Sequence, residues 1–171
     1  CNIGASSPEE YGSYFAWGEV EPKTEYLFSN YKWYLASEKG IKRVIKYNTS
    51  PYMGSVDNKM VLDPEDDAAT VNMGKDWRMP TVEELKELVQ GCTWEFTENY
   101  NGKHVIGWIG TSKVNKKSLF LPLAGVDNQD GYVMAGEIGL YWSSSLSRSR
   151  DEDFDFTTSH CLLLNESEVY D

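Results

Sequence analysis

The segment WRMPTVEELKELVQG, residues 77–91, constrains the fold more than any other part of the chain. Thr81 is followed three residues later by Glu84, a capping box that marks the first turn of an α-helix. Gly91 is a typical residue just past a helix end. Apolar residues recur at helical spacing at Val82, Leu85, Leu88 and Val89. The segment therefore predicts an amphipathic helix over 81–90 whose apolar stripe is buried beside Trp94, Phe120, Leu121 and Trp142.

A second helix start is predicted just upstream, in DPEDDAATV, residues 63–71. Asp63 can cap the helix, Pro64 suits the first helical position, and the next three acidic residues would face the positive end of the helix dipole. Three neighbouring carboxylates also leave open the binding of a cation.

The rest of the chain divides into an irregular first part and a strand-rich second part. Residues 1–35 alternate aromatic with small and acidic residues, which predicts irregular structure with short strands. After residue 91, the segments CTWEFTEN, HVIGWIG, LFLPLAG and LYWSSS predict strands, whereas VDNQDGYVMAGEIG predicts a long glycine-rich loop. We therefore expect an α+β fold, with one or two helices packed on a twisted antiparallel sheet and with long irregular loops, in a single domain over 1–171.

Charge and composition limit the partners. The net charge is −11, which disfavours nucleic acid and anionic membrane surfaces. No apolar run approaches the roughly 20 residues of a membrane span, so we expect no direct membrane insertion. The chain has six tryptophans and eleven tyrosines, and we expect packing of these rings to hold its long connections in place. Cys1, Cys92 and Cys161 match no disulfide framework or metal-ligand spacing, although a single pair stays open.

Several motifs together resemble a known family. They occur in the order CNIGASSPEEYGSYFAWGE, YKWY, DDAATVNMGKDWRMPTVEELKEL, CTWEF, LFLPLAG and GLYWSSSL. Over about residues 1–146 the chain resembles the Fibrobacter/Bacteroidetes major paralogous domain family. The resemblance implies a C-type-lectin-like fold, shared with the formylglycine-generating enzymes. It also implies an extracytoplasmic domain at the cell surface or secreted, often part of a lipoprotein or adhesin, and a chain trimmed at both ends.

Catalytic and metal-binding motifs find little support in the sequence. Formylglycine-generating relatives need a late pair of cysteines, and here only Cys161 lies late in the chain. His104 and His160 lie in strand-like segments without a nucleophile motif and are expected to be structural. Alternate positions of VDNQDG offer one carboxylate, Asp127, whereas a calcium loop needs about three. We therefore expect that the protein is not an enzyme, that it has no catalytic residue, and that it binds no cofactor and no metal.

The C-terminal segment is the predicted binding surface for a protein or glycan partner. SLSRSRDED lacks glycine and reads as an exposed loop, with Tyr141, Trp142, Phe154 and Phe156 as buried anchors on its two sides. Replacing the charged residues of this segment by serine is expected to abolish binding without changing the melting temperature. A solvated, charged sheet edge stays the alternative. The predicted ligand-binding residues are Ser147, Arg148, Ser149, Arg150, Asp151, Glu152, Asp153, Asp155 and Thr157.

Two alternative functions stay open. Variable proteins of diversity-generating retroelements share the implied fold and randomise a C-terminal segment of this kind by mutation of adenines in AAC codons. Such mutations cannot produce codons for Lys, Gln, Met or Trp. None of these four residue types follows Trp142 in the chain. Glu152, Glu166 and Glu168 are not reachable from such codons and would have to be fixed. A carbohydrate-active enzyme with paired carboxylates in RDEDFDF is the other alternative.

Overall fold

The computed structural model describes residues 1–36, 42–128, 131–147 and 158–170. Within them the chain is α+β, with two α-helices, Ala68–Met73 (α1) and Val82–Gly91 (α2). Short 3-10 turns lie at Phe28–Asn30, Pro64–Asp66 and Tyr100–Gly102. The strands are Tyr34–Ala36 (β1), Lys42–Val44 (β2), Cys92–Thr97 (β3), Gly107–Ser112 (β4), Ser118–Pro122 (β5), Val126–Asn128 (β6), Gly131–Val133 (β7), Ile138–Ser147 (β8), Thr158–Asn165 (β9) and Val169–Tyr170 (β10).

The strands form four separate antiparallel sheets among the described residues, rather than the single sheet expected from the sequence. Two are three-stranded, in the orders β10-β9-β8 and β3-β4-β5, and two are the hairpins β1-β2 and β6-β7. The β6-β7 hairpin lies where the sequence predicted only a glycine-rich loop, so that prediction is wrong at this point. Strands β4 and β5 form a hairpin that is joined by the polar segment 113–117.

Helix α2 forms as predicted and contributes to one of two cores. The Thr81 hydroxyl accepts a hydrogen bond from the Glu84 amide, and the Glu84 carboxylate accepts one from the Thr81 amide. Val82 and Leu85 are buried, whereas Leu88 and Val89 are half-buried. The core around this helix consists of Leu85, Trp108, Leu123, Leu162 and Leu164.

A second core lies under the irregular N-terminal region, and it consists of Trp17, Tyr47, Leu62 and Leu146. The Trp17 and Tyr47 rings meet edge-on, with centroids 5.2 Å apart. The Trp17 indole donates to the Ser143 carbonyl at 2.7 Å, and the Tyr31 hydroxyl donates to the Trp17 carbonyl at 2.8 Å. Large rings therefore hold residues 1–27 in place, where the described structure has no helix or strand.

The glycines of β4 make room for neighbouring side chains. A Cβ at Gly110 would lie 2.7 Å from the Trp94 ring, and one at Gly107 would lie 2.4 Å from the Leu121 carbonyl oxygen. These close approaches account for the pattern GWIG in this strand.

Three local predictions are wrong. Trp142 is 37% exposed rather than buried. The cap of α1 is Asp67, whose carboxylate accepts from the Thr70 amide, because a 3-10 turn separates Asp63 from the helix. His104 lies in the irregular connection that precedes β4, with φ +56°, and is exposed. His160 lies in β9, as expected, and is half-buried.

Candidate functional site

Most of the binding surface predicted from the sequence lies outside the described residues. Ser147, the last residue of β8, is described and is half-buried. The residues outside are Arg148, Ser149, Arg150, Asp151, Glu152, Asp153, Phe154, Asp155, Phe156 and Thr157. The predicted site and two of its four anchors therefore stay predictions.

The motifs WRMPT and YWSSS meet in the structure, and their contacts are structural. Between Trp142 and Leu146 strand β8 bulges away from β9. The freed backbone turns to other partners: the Ser144 amide donates to the Pro80 carbonyl at 2.7 Å, and the Ser144 carbonyl accepts from Leu62 at 3.0 Å. The Ser145 hydroxyl accepts from the Val82 amide at 3.1 Å. These buried serines therefore fix the first turn of α2 on β8.

Replacing Ser145 by alanine is expected to destabilise the protein by about 1–3 kcal/mol, because it leaves the buried Val82 amide without its acceptor. Urea denaturation measures the change. Ser167→Ala, which removes an exposed hydroxyl, should stay within about 0.5 kcal/mol of the wild type. Equal, small effects of both substitutions would contradict the assigned role of Ser145.

The acidic run between β2 and α1 takes part in an ion-pair network whose central residue, Asp66, is buried. Asp66 is 1% exposed. Its carboxylate accepts from Lys32 at 2.8 Å, from Lys46 at 2.5 Å and from the Tyr47 hydroxyl at 2.7 Å. Ligand atoms of Asp63, Glu65 and Asp66 lie within 4.8 Å of one another, as a cation site would require. The Lys46 ammonium lies 2.6 Å from Asp63 and 2.5 Å from Asp66, so it already supplies the positive charge that a bound cation would bring to these carboxylates.

An open groove of about 360 Å³ is the strongest candidate site in the described structure. Four parts of the chain form its walls: the N-terminal segment, helix α1 with the residues that follow it, the β5–β6 connection, and β8. This volume lies within the usual range for ligand pockets. We call it the aromatic groove, since its lining includes Tyr11, Tyr14, Phe15, Tyr26, Trp77, Tyr141 and Trp142.

The aromatic groove presents ring surface more than hydrogen-bonding groups. The Tyr14 hydroxyl donates to the Ala124 carbonyl at 2.6 Å, and the Tyr141 hydroxyl donates to the Pro122 carbonyl at 2.8 Å. The Trp142 indole donates to the Phe15 carbonyl at 3.0 Å. Burial raises the pKa of Tyr141, so this side chain is a neutral phenol at physiological pH. These polar atoms are therefore used within the protein.

Trp77 is the most exposed aromatic residue of the groove lining, at 57%. It lies in the turn after α1, where its amide donates to the carbonyl of Gly74, the residue that caps the helix, at 2.9 Å. The following backbone is fixed, because the Met79 amide donates to the buried Asp67 carboxylate at 2.9 Å. A large apolar ring is thus held at the surface on a well-supported turn, as a binding residue requires.

Two charged side chains line the groove and differ in their partners. Arg78 forms a two-point ion pair with Glu84, with distances of 2.7 and 2.5 Å. The hydrogen bonds from Arg78 lower the pKa of Glu84 to about 2, and a hydrogen bond from the Thr81 amide makes a smaller contribution in the same direction. Asp127 lies in β6 and is half-buried, and its carboxylate has no hydrogen bond or ion pair to any residue that the structure describes. Among the side chains that the structure describes, Asp127 is therefore the charged group of the groove lining that has no ion-pair partner.

The described groove lining offers little for catalysis. Asp127 is its single carboxylate, whereas glycoside hydrolysis uses a pair. The thiols of Cys1, Cys92 and Cys161 are all free, Cys92 is buried, and burial raises the pKa of Cys161. The arrangement is suited to holding a ligand.

The sequence did not indicate this groove, because its walls come from distant segments. Trp77 lies two residues before Met79, the first residue of the MPT helix start, and outside the apolar stripe of α2. This isolated aromatic residue was the one sign of a binding surface here that the sequence offered. Among the described residues, no helix has the length and apolar character needed to cross a bilayer. Comparison of the chain with protein-family models, with curated proteins and with solved structures gave no match.

Proposed function

We propose that this chain is an adhesin-like module, displayed at the cell surface or secreted, that binds a protein or glycan ligand. The observation that carries the proposal is the exposed Trp77 beside the aromatic groove. Exposed aromatic rings in a concave site are typical of recognition surfaces. The family resemblance supports the extracytoplasmic location.

We also propose a C-type-lectin-like arrangement for the fold. Two features support it: a helix pair followed by antiparallel strands, and a long irregular N-terminal region pinned by aromatic side chains. In such an arrangement a stable framework carries a variable surface, which suits a display module.

We propose that the module is not an enzyme. The support comes from the described carboxylates: those with a resolved shift, Glu9, Glu10, Asp63, Asp66 and Glu84, all have a lowered pKa. A general acid of a glycosidase needs a raised pKa instead. Diversification of the C-terminal segment stays a hypothesis from the sequence, and a neighbouring reverse-transcriptase gene with a near-copy of this coding region would establish it.

Binding of the purified protein to intact bacterial and animal cells tests the proposed function. We expect saturable binding, lost after protease treatment if the ligand is a protein and after glycosidase treatment if it is a glycan. Trp77→Ala is expected to weaken binding by at least about tenfold, because truncated tryptophans at binding sites commonly have effects of this size. Tyr52→Ala is the matched control, since Tyr52 is 88% exposed and does not line the groove. Absence of saturable binding on every cell type would contradict the proposal.

A further inference from the structure

We infer that the aromatic groove binds a lysine side chain of a protein partner. This inference rests on the proposed function and specifies its ligand class. Four observations carry it: the ring lining, the hydrogen bonds that the lining already makes within the protein, the carboxylate of Asp127 without a partner among the described residues, and the acidic charge of the whole chain.

The ring lining suits a cation attached to an apolar chain. Ammonium groups are attracted to the faces of tryptophan and tyrosine rings, and the methylene groups of a lysine pack on apolar surface. The lining offers Trp77 and Trp142, which are both exposed, with Tyr11 and Tyr141 beside them. A lysine side chain matches this surface along its whole length.

The hydrogen bonds already made in the groove argue against a sugar. A glycan would bring several hydroxyl groups, each of which needs a partner when it leaves water. Here the hydroxyls of Tyr14 and Tyr141 and the indole of Trp142 are held by backbone carbonyls. A lysine carries its polar atoms at one end, so its ammonium group can stay in contact with water and with Asp127 while its methylene groups pack on the rings.

The charge distribution selects a cation over a neutral apolar group. Asp127 lines the groove without a charged partner among the described residues, whereas the neighbouring Arg78 is paired with Glu84. The net charge of −11 favours approach of a basic protein over an acidic one.

A titration with two matched small probes tests the inference. The probes are N-acetyl-lysine-N-methylamide and N-acetyl-norleucine-N-methylamide, which differ by the ammonium group. The readout is the shift of the Trp77 and Trp142 indole signals in ¹H–¹⁵N spectra, assigned with Trp77→Phe and Trp142→Phe. We expect the lysine probe to shift both signals saturably and to bind at least about fivefold more tightly than the norleucine probe. In Asp127→Asn this preference should fall to less than about twofold, with the rest of the spectrum unchanged.

Other outcomes would overturn the inference. Methyl α-glucoside and choline are titrated in the same way as two further probes. Binding of the norleucine probe that is as tight as that of the lysine probe, or tighter, would show a purely apolar groove. Tighter binding of methyl α-glucoside than of the lysine probe would show a sugar site. Tighter binding of choline than of the lysine probe would assign the groove to a small quaternary ammonium ligand. A lack of shifts with every probe would also overturn it. The proposed function would survive each of these results if cell binding still depended on Trp77.

Discussion

Replacing Asp66 by asparagine is expected to destabilise the protein by about 3–5 kcal/mol, the range for breaking a buried ion pair by removal of one partner. Asparagine keeps the shape of the side chain but removes the charge that faces Lys32 and Lys46. The Tyr47 hydroxyl, which also donates to Asp66, is buried with it. Urea denaturation at neutral pH measures the change.

Glu65→Gln is the matched control for this substitution. Glu65 belongs to the same 3-10 turn, but its side chain is 72% exposed and lies 3.9 Å from Lys46. We expect its loss to change stability by less than about 1 kcal/mol. Equal effects of Asp66→Asn and Glu65→Gln would show that the buried network does not stabilise the fold.

The same network predicts how stability depends on pH. Burial alone would raise the pKa of Asp66, but hydrogen bonds from Lys32, Lys46 and Tyr47 outweigh it and hold the pKa below its usual value. Because the folded pKa is lower than the unfolded value of about 3.9, this stabilisation is present above about pH 4 and is lost as the pH falls through the folded pKa. Asp66→Asn should therefore show a shallower loss of stability below pH 4 than the wild type.

Replacing Leu85 by alanine is expected to destabilise the protein by about 2–5 kcal/mol, the range for a buried leucine. Leu85 is 3% exposed and lies in the core that joins α2 to β8 and β9. Thermal and urea denaturation measure the loss. Leu119→Ala is the control, since Leu119 is 36% exposed at the surface of β5 and should cost clearly less. A small effect at Leu85 would mean that α2 is not packed as described.

The sequence predicted the elements whose stabilising interactions lie within a few residues of one another. The capping box at Thr81 and the apolar stripe of α2 both describe interactions within one helix, and the alternation in CTWEF describes one face of one strand. Each was readable because its partners lie a few residues away.

Long-range partners decided the features that the sequence did not show. Asp66 resembles a solvated residue of a helix first turn, but Lys32 and Lys46, distant in sequence, bury it. Ser144 and Ser145 resemble an exposed polar strand end, but both are buried. The Ser144 hydroxyl donates to the Pro80 carbonyl, and the Ser145 hydroxyl accepts from the Val82 amide. The aromatic groove needs segments that lie more than one hundred residues apart, as the hydrogen bond from Trp142 to Phe15 illustrates.

The most direct test of the central claim compares two variants in one cell-binding assay. The first is Trp77→Ala in the aromatic groove. The second replaces by serine the charged residues of the C-terminal segment, which are Arg148, Arg150, Asp151, Glu152, Asp153 and Asp155. If the groove is the binding site, Trp77→Ala loses at least about tenfold in affinity with an unchanged melting temperature, and the serine variant keeps most of its binding. Full binding by Trp77→Ala together with loss of binding by the serine variant would contradict the account and assign the site to the C-terminal segment.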